Sequence, residues 1–321
     1  MKIRKMTAVI SMVTLLVLGS GLWIYKNSES SRELVEKPST ESQNTLSTQK
    51  PQADFIEDPQ QVIQKKEDVN KTTKPPQDQE QVEKPKQNIV KETDADSEKL
   101  GWYYKPNKEH ILPEISPKGK ALLEKYDGIY HGDINSKTLY LTFDEGYENG
   151  YTPQILDVLR SSNVKAAFFI TGDYLRRNPE LVKRMVSEGH IVGNHTNNHP
   201  SLPTLDNETI KKEINNLSDS FQELTGAKMS YLRPPMGEYS GRSLKTTYEM
   251  GYRNVFWSVA MVDWQPEAGT PEGNKQTIQE RLHSGAVILL HAVNKANAEM
   301  LPDLIQECKQ EGYQFKTLDD I

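Results

Sequence analysis

The sequence predicts an α/β fold in which helices separate the strands of a parallel sheet, open or closed into a barrel. Two observations support this prediction. Short apolar runs alternate with segments of helical periodicity between residues 100 and 321, a pattern typical of repeated β–α units. Polar and charged residues follow directly after several of the apolar runs, at the position where α/β folds place their chemistry.

The N-terminal segment predicts a membrane anchor over residues 1–26. An uncharged run from residue 7 to residue 25 follows a cluster of basic residues, and it is long enough to cross ~30 Å of hydrocarbon as a helix. The basic residues predict that the rest of the chain lies outside the cytoplasm. A cleaved signal peptide is the alternative, since small residues occur at 19–21. Because Trp23 and Tyr25 resemble interfacial anchors, we favour a single-pass protein of the cell membrane.

Two further segments complete the predicted organisation. Residues 27–99 are rich in Glu, Lys, Gln, Ser, Thr and Pro, so they should form a disordered linker that cannot bury enough apolar surface to fold. Residues 100–321 have the length of one α/β domain. The net charge of -6 gives no sign of a nucleic-acid partner, and we expect a monomer. The single cysteine, Cys308, excludes an intramolecular disulfide and a cysteine-based zinc site.

Periodicity and cap residues place the elements of the domain. The long helix, for example, has Asp206 as its N-terminal cap and Gly226 at its end. Strands are predicted at 139–143, 164–170, 190–193, 229–232, 254–257, 286–290 and 313–318. Helices are predicted at 117–126, 152–162, 179–188, 206–225, 242–250, 276–282 and 297–311.

The first candidate site residues are two acids and two histidines. Asp144 and Glu145 end the apolar run 139–143, although an Asp-Glu-Gly sequence alone is also consistent with a solvated turn. His195 and His199 are four residues apart, so one helical turn would bring both rings to a single metal ion. Two solvated loop histidines are the alternative. Imidazole is a common ligand of zinc and similar divalent ions, and a carboxylate of the acid pair is the available third ligand.

Three more candidates follow later strands. Arg233 precedes two prolines that stiffen its loop, and this would aim the guanidinium toward a carboxylate. Asp263 stands beside Trp264, and His291 ends an apolar run. A surface turn and a structural histidine are the alternatives. Together with the acids and the histidine pair, these residues suit metal-assisted hydrolysis of an amide or an ester.

The same residues form an ordered set of motifs. They read TFDEG at 142–146, HTNNH at 195–199, RPPMG at 233–237, AMVDW at 260–264 and LLH at 289–291. In this order the motifs resemble those of the NodB-homology polysaccharide deacetylases, carbohydrate esterase family 4. The resemblance covers residues 100–321 and implies a distorted, incomplete (β/α) barrel of the NodB-homology type.

The resemblance also implies a role for each motif residue. Asp144 would be the general base, and Arg233 would orient it. His291 would be the general acid, held protonated by Asp263. Metal ligation falls to His195, His199 and Glu145, with zinc expected and cobalt or manganese as alternatives. The substrate would meet Trp264 and the turn formed by Pro235, Met236 and Gly237.

Longer runs resemble the delta-lactam-biosynthetic branch of this family. That branch implies removal of the acetyl group from N-acetylmuramic acid in peptidoglycan glycan strands, with muramic delta-lactam of the spore cortex as the later product. A deacetylase of peptidoglycan N-acetylglucosamine or chitooligosaccharides is the first alternative, and an inactive wall-glycan-binding module is the second. Two positions depart from the family pattern, since Glu145 and Ala260 stand where aspartates are usual.

Overall fold

The computed structural model describes residues 94–265 and 267–321. The helices are α1 (Asp94–Ser97), α2 (Pro117–Lys125), α3 (Thr152–Ser161), α4 (Gly172–Arg177), α5 (Pro179–Ser187), α6 (Asn207–Thr225), α7 (Gly241–Glu249), α8 (Pro271–Gln279) and α9 (Lys295–Gln310). The strands are β1 (Leu100–Gly101), β2 (Tyr104–Lys105), β3 (Glu114–Ile115), β4 (Thr138–Glu145), β5 (Ala167–Ile170), β6 (Ile191–Asn194), β7 (Tyr231–Leu232), β8 (Glu238–Tyr239), β9 (Arg253–Asn254), β10 (Ala286–His291) and β11 (Gln314–Lys316). Short 3-10 helices span Leu202–Thr204, Pro235–Gly237 and Leu318–Asp320.

A seven-stranded parallel sheet positions the candidate site. Its strand order is β10-β4-β5-β6-β7-β9, and β11 also pairs with β4. Beyond β9 the chain makes isolated bridges from Val255 to Ile129 and from Val259 to Ile288. The second bridge reaches β10, so irregular backbone connects the two edges of the sheet. This confirms the predicted parallel sheet with intervening helices, and the irregular closure gives an incomplete barrel.

Alternation along β4 separates two apolar layers. Leu141 and Phe143 pack outward in a cluster with Ile155 of α3 and other helix residues. Tyr140 packs in a second cluster with Phe169, on the inner side of the sheet. Because successive side chains of a strand point to opposite faces, the two adjacent acids at the end of β4 must also point to opposite sides.

Cap residues set the helix ends, as two cases illustrate. Asp206 accepts a hydrogen bond from the Thr209 amide at 2.7 Å, and Gly226 ends α6 with a left-handed φ of 72°. Both ends of α6 are therefore confirmed. Helix α8 begins at Pro271, five residues before its predicted start at 276, because Thr270 caps it and proline suits the first helical turn.

Four predicted strands, namely β5, β7, β9 and β11, are shorter in the structure. Strand β5 begins at Ala167, three residues after the predicted start at Val164, and β9 ends at Asn254. After β9 the chain no longer pairs with β7, because the aromatic side chains that follow pack against other parts of the domain. Phe256, for example, stacks on Trp102 with ring centroids 4.5 Å apart. The sequence did not predict α4 or the short strands β1, β2, β3 and β8.

The segment before the sheet is folded onto the domain. Residues 94–99 fall in the predicted linker, yet α1 occupies 94–97 and the Ser97 hydroxyl accepts a hydrogen bond from Arg242 at 3.2 Å. Strand β1 pairs with β8. The folded domain therefore begins no later than Asp94.

The predicted membrane anchor, residues 1–26, and most of the predicted linker lie outside the described residues. Among the helices within 94–265 and 267–321, none is long and apolar enough to cross a membrane.

Candidate active site

A cavity of 640 Å³ opens at the carboxyl ends of the sheet strands. Its walls combine the predicted polar residues with apolar side chains from several loops. They are Asp144, Gly146, Tyr147, His195, His199, Met236, Gly237, Trp257, Trp264, Leu289, His291 and Val293. The structure therefore brings together residues that are widely separated in the chain.

Asp144 and Arg233 form the buried ion pair of this cavity. Arg233 Nη1 donates to Asp144 Oδ1 at 2.7 Å, and Nη2 donates to the Thr142 hydroxyl at 2.9 Å. The guanidinium lies over the Phe169 ring, 4.2 Å from its centroid. Burial raises the pKa of the Asp144 carboxyl, but the charges of Arg233 and of nearby histidines outweigh it and leave the pKa below its usual value. Asp144 is therefore ionised at neutral pH, as a general base must be.

His195 and His199 converge at the same end of the sheet. Their Nε2 atoms are 3.2 Å apart, and His195 Nε2 lies 3.6 Å from Asp144 Oδ2. His199 and Thr196 both have left-handed backbone, with φ of 58° and 67°. This turn returns the second ring toward the first, so the pair converges without a regular helical turn.

The protonation states of these rings make them suitable metal ligands. The carbonyl of Arg233 lies 2.7 Å from His195 Nδ1, so Nδ1 carries the proton and Nε2 presents a lone pair. Burial lowers the pKa of His195 to about 4, and it also lowers the pKa of His199. The lone pair of His195 Nε2 therefore faces His199 Nε2 beside the ionised Asp144 carboxylate, an arrangement that would attract a cation. The donor set fits a divalent metal ion.

Glu145 does not join the two histidines, contrary to the expectation that it supplies a third metal ligand. Its side chain lies on the outer face of β4, opposite to Asp144, where Oε1 is 3.5 Å from the Thr152 hydroxyl and Oε2 has no partner. Burial, with Glu148 and Asp144 nearby, raises the pKa of Glu145 well above its usual value. Within the described part of the chain, no group of three or more His, Cys, Asp or Glu side chains is arranged to hold a metal ion.

Asp263 and His291 form a second polar pair across the cavity. Asp263 Oδ1 lies 2.8 Å from His291 Nδ1, and Oδ2 accepts from the His291 amide at 2.9 Å. Burial lowers the pKa of His291, but the hydrogen bond and charge of Asp263 reverse this and raise it above its ordinary value. Since Nδ1 is engaged by Asp263, the proton that His291 can donate is on Nε2.

The structure places most of the expected substrate-binding residues in the cavity wall. Trp264 is 53% exposed, and its ring centroid lies 6.1 Å from that of His291. Met236, with a left-handed φ of 58°, holds its side chain at the mouth. A Cβ on Gly237 would approach Trp257 to 2.9 Å, so only glycine fits there. Pro235 is a correction, because it is buried and does not line the cavity.

Sequence reasoning missed three polar contacts of the site. Thr142 accepts from Arg233, and its spacing of two residues from Asp144 on one strand was the available signal. Asn297 donates to Asp263 Oδ2 at 2.6 Å, and Asn274 in turn donates to Asn297 at 2.9 Å. No local pattern marks these asparagines, because they come from two different helices.

Comparisons with known proteins give matches to one family. A family model for polysaccharide deacetylase matches residues 131–255. The peptidoglycan-N-acetylmuramic acid deacetylase PdaA of Bacillus subtilis (strain 168) is 43% identical over 229 residues, which cover 70% of this chain and 86% of PdaA. The chain belongs to the polysaccharide deacetylase family. It is therefore a hydrolase of carbohydrate esterase family 4, as predicted.

Solved structures and a further relative extend the likeness. The structure of B. subtilis PdaA, a family 4 carbohydrate esterase, matches with a TM-score of 0.68 over 70% of this chain and 97% of that chain. A peptidoglycan-N-acetylglucosamine deacetylase of Bacillus cereus is 32% identical over 68% of this chain and 82% of its own length. A family 4 pseudoenzyme from Bacillus anthracis is 28% identical, with a TM-score of 0.57 over 60% of this chain and 68% of that chain. Activity must therefore be argued from the residues of the deacetylase site.

The position of Glu145 in the deacetylase predicts its effect on metal binding. We expect Glu145→Gln to keep the affinity for Zn²⁺ within about threefold of wild type, whereas His195→Gln should weaken it by at least the ~10–100-fold that loss of a hydrogen-bond partner of a metal ligand costs. Isothermal titration calorimetry of the chelator-treated protein measures both affinities. A loss in Glu145→Gln equal to that in His195→Gln would show that Glu145 turns toward the histidines.

The Asp263–His291 pair predicts a change in pH dependence. His291 must be protonated to act, so activity falls as pH rises through its pKa. Because Asp263 raises that pKa, Asp263→Asn should move the alkaline limb of the kcat/KM profile to lower pH by about one unit. Acetate release from glycan strands between pH 5 and 10 measures the shift, with the surface variant Asp157→Asn as control. An unchanged alkaline limb would contradict the role of Asp263.

Proposed function

We propose that the protein is a metal-dependent peptidoglycan N-deacetylase that removes the acetyl group from N-acetylmuramic acid. The observation that carries the proposal is that one cavity holds two ionisable groups whose pKa values are shifted in opposite directions. Arg233 lowers the pKa of Asp144 and keeps it ionised, and Asp263 raises the pKa of His291 and so favours its protonated form. An amide hydrolase needs both a base and an acid at one site, and a binding module needs neither.

The choice of muramic acid comes from the relatives. The chain is 43% identical to the N-acetylmuramic acid deacetylase PdaA and 32% identical to the B. cereus N-acetylglucosamine deacetylase. In muramic acid the C2 amine, once freed, stands beside the lactyl group on O3 and can close a six-membered lactam. The muramic delta-lactam of spore cortex is a product of this kind. We propose that the reaction takes place during formation of the spore cortex.

Asp144 and His291 divide the proton transfers of the reaction. The attacking water loses its proton to the Asp144 carboxylate, whose Oδ1 is fixed by Arg233 at 2.7 Å. Addition to the acetyl carbonyl gives a tetrahedral species. His291 then gives its Nε2 proton to the sugar nitrogen, so the C–N bond breaks and acetate leaves. Asp263 holds His291 in the required orientation throughout.

His195 and His199 are the residues that would hold the metal ion. Their neutral Nε2 atoms supply two nitrogen ligands, a donor set that suits zinc and also accepts cobalt or manganese. When bound, the ion supplies Lewis-acid polarisation of the acetyl carbonyl.

We also propose that the deacetylase domain acts outside the cytoplasm, held at the cell membrane as a single-pass protein. The support is the uncharged run at 7–25 behind basic residues, together with the polar segment 27–99. Such a tether would carry the domain from the membrane into the peptidoglycan.

Mass spectrometry of digested glycan strands tests the proposed activity. Wild type should convert N-acetylmuramic acid to muramic acid while N-acetylglucosamine stays acetylated, and Asp144→Asn should lower the rate by about 10²–10⁴-fold because general base catalysis is lost. A glucosamine product with intact N-acetylmuramic acid would establish the alternative N-acetylglucosamine deacetylase. If neither wild type nor Asp144→Asn gives a deacetylated product, the result would establish the alternative of an inactive wall-glycan-binding module.

A further inference from the structure

A second cavity of 660 Å³ adjoins the catalytic cavity and shares part of its wall. The residues common to the two cavities are Trp257, Trp264, Leu289 and His291. The second cavity is also lined by Tyr103, which is 67% exposed, and by Arg281. A sugar whose C2 substituent enters the catalytic cavity would therefore place a neighbouring substituent beside Arg281.

Arg281 is a half-buried cation that has no acidic partner among the residues that the structure describes. Its Nη1 donates to the Ala260 carbonyl at 2.6 Å, and its guanidinium also contacts the Tyr104 hydroxyl. Among the described residues no carboxylate lies within ion-pair distance of it, and the adjacent Glu280 is engaged by Lys108 at 2.7 Å. Ala260 stands where an aspartate is usual in the family, and its side chain has no charge to pair with the guanidinium. Among the described residues that line the two cavities, Arg281 is the one lysine or arginine.

The chemistry of muramic acid suits this arrangement. Muramic acid differs from glucosamine by a lactyl ether on O3, which ends in a carboxylate, and O3 is on the carbon next to the one that bears the acetamido group. A planar guanidinium matches a carboxylate with two parallel hydrogen bonds. Half-burial beside Tyr104 limits the competition from water, so the charge of Arg281 is available to a ligand.

We propose that Arg281 binds the lactyl carboxylate of muramic acid residues from which the peptide has been removed. This inference rests on the proposed function, and it adds a requirement that the substrate carry a free acid. When a peptide is attached, the carboxylate is an amide with no charge for the guanidinium. N-acetylglucosamine has only a hydroxyl at this carbon, so it has no carboxylate for the guanidinium. Arg281 would thus select both the sugar and its peptide-free form.

The test compares two substrates with matched arginine variants. One substrate is a peptide-free glycan oligomer with free lactyl carboxylates, and the other is the same oligomer with those carboxylates converted to amides. Arg281→Gln keeps a donor for the Ala260 carbonyl and removes the charge, and Arg281→Lys keeps the charge without the planar fork. Arg253→Gln is the control, because Arg253 is also half-buried and also donates to a backbone carbonyl, that of Ile321, at 3.2 Å.

We expect Arg281→Gln to lower kcat/KM for the free-acid oligomer by about 10–100-fold, because a charge-assisted contact is lost, and to leave kcat/KM for the amide oligomer unchanged. Arg281→Lys should lie between wild type and Arg281→Gln, and Arg253→Gln should match wild type. Equal losses on both substrates, or no loss on either, would overturn the carboxylate site while leaving the proposed function intact. Failure of wild type to deacetylate muramic acid in either oligomer would overturn both.

Discussion

The buried guanidinium of Arg233 is the interaction on which the deacetylase site depends. A buried charge is costly unless it is paired and hydrogen-bonded, and Arg233 satisfies this requirement with the Asp144 carboxylate, the Thr142 hydroxyl and the Val255 carbonyl. Its own carbonyl fixes the tautomer of His195. One residue thus sets the charge of the proposed base and directs the lone pair of a proposed metal ligand.

The two polar pairs of the cavity have opposite proton states for the same physical reason. Asp144 is buried and His291 is largely buried, and burial alone would favour the neutral form of each. The nearby opposite charge decides the outcome, because Arg233 lowers the pKa of Asp144 and Asp263 raises the pKa of His291. Glu145 is the contrasting case. It is fully buried, no cation among the described residues lowers its pKa, and burial therefore raises that pKa.

Much of this site could be predicted from the sequence. Parallel strands bring their carboxyl ends to one edge, so residues that follow different strands meet there. The same alternation rule, applied to Asp144 and Glu145, would have shown that adjacent residues cannot both face the cavity. The asparagine contacts to Asp263 and the wall formed by Tyr103 could not be predicted, because they depend on how distant helices and loops pack onto the sheet.

The state of Asp144 is the claim that can be measured most directly. Nuclear magnetic resonance of protein with ¹³C-labelled aspartate, assigned by comparison with Asp144→Asn, follows the titration of this carboxyl in the metal-free enzyme. The Arg233 pair predicts that the pKa of Asp144 lies below the ordinary aspartate value, so that the group is ionised throughout the working pH range. A pKa at or above the ordinary value would contradict the account, since burial would then have outweighed the guanidinium.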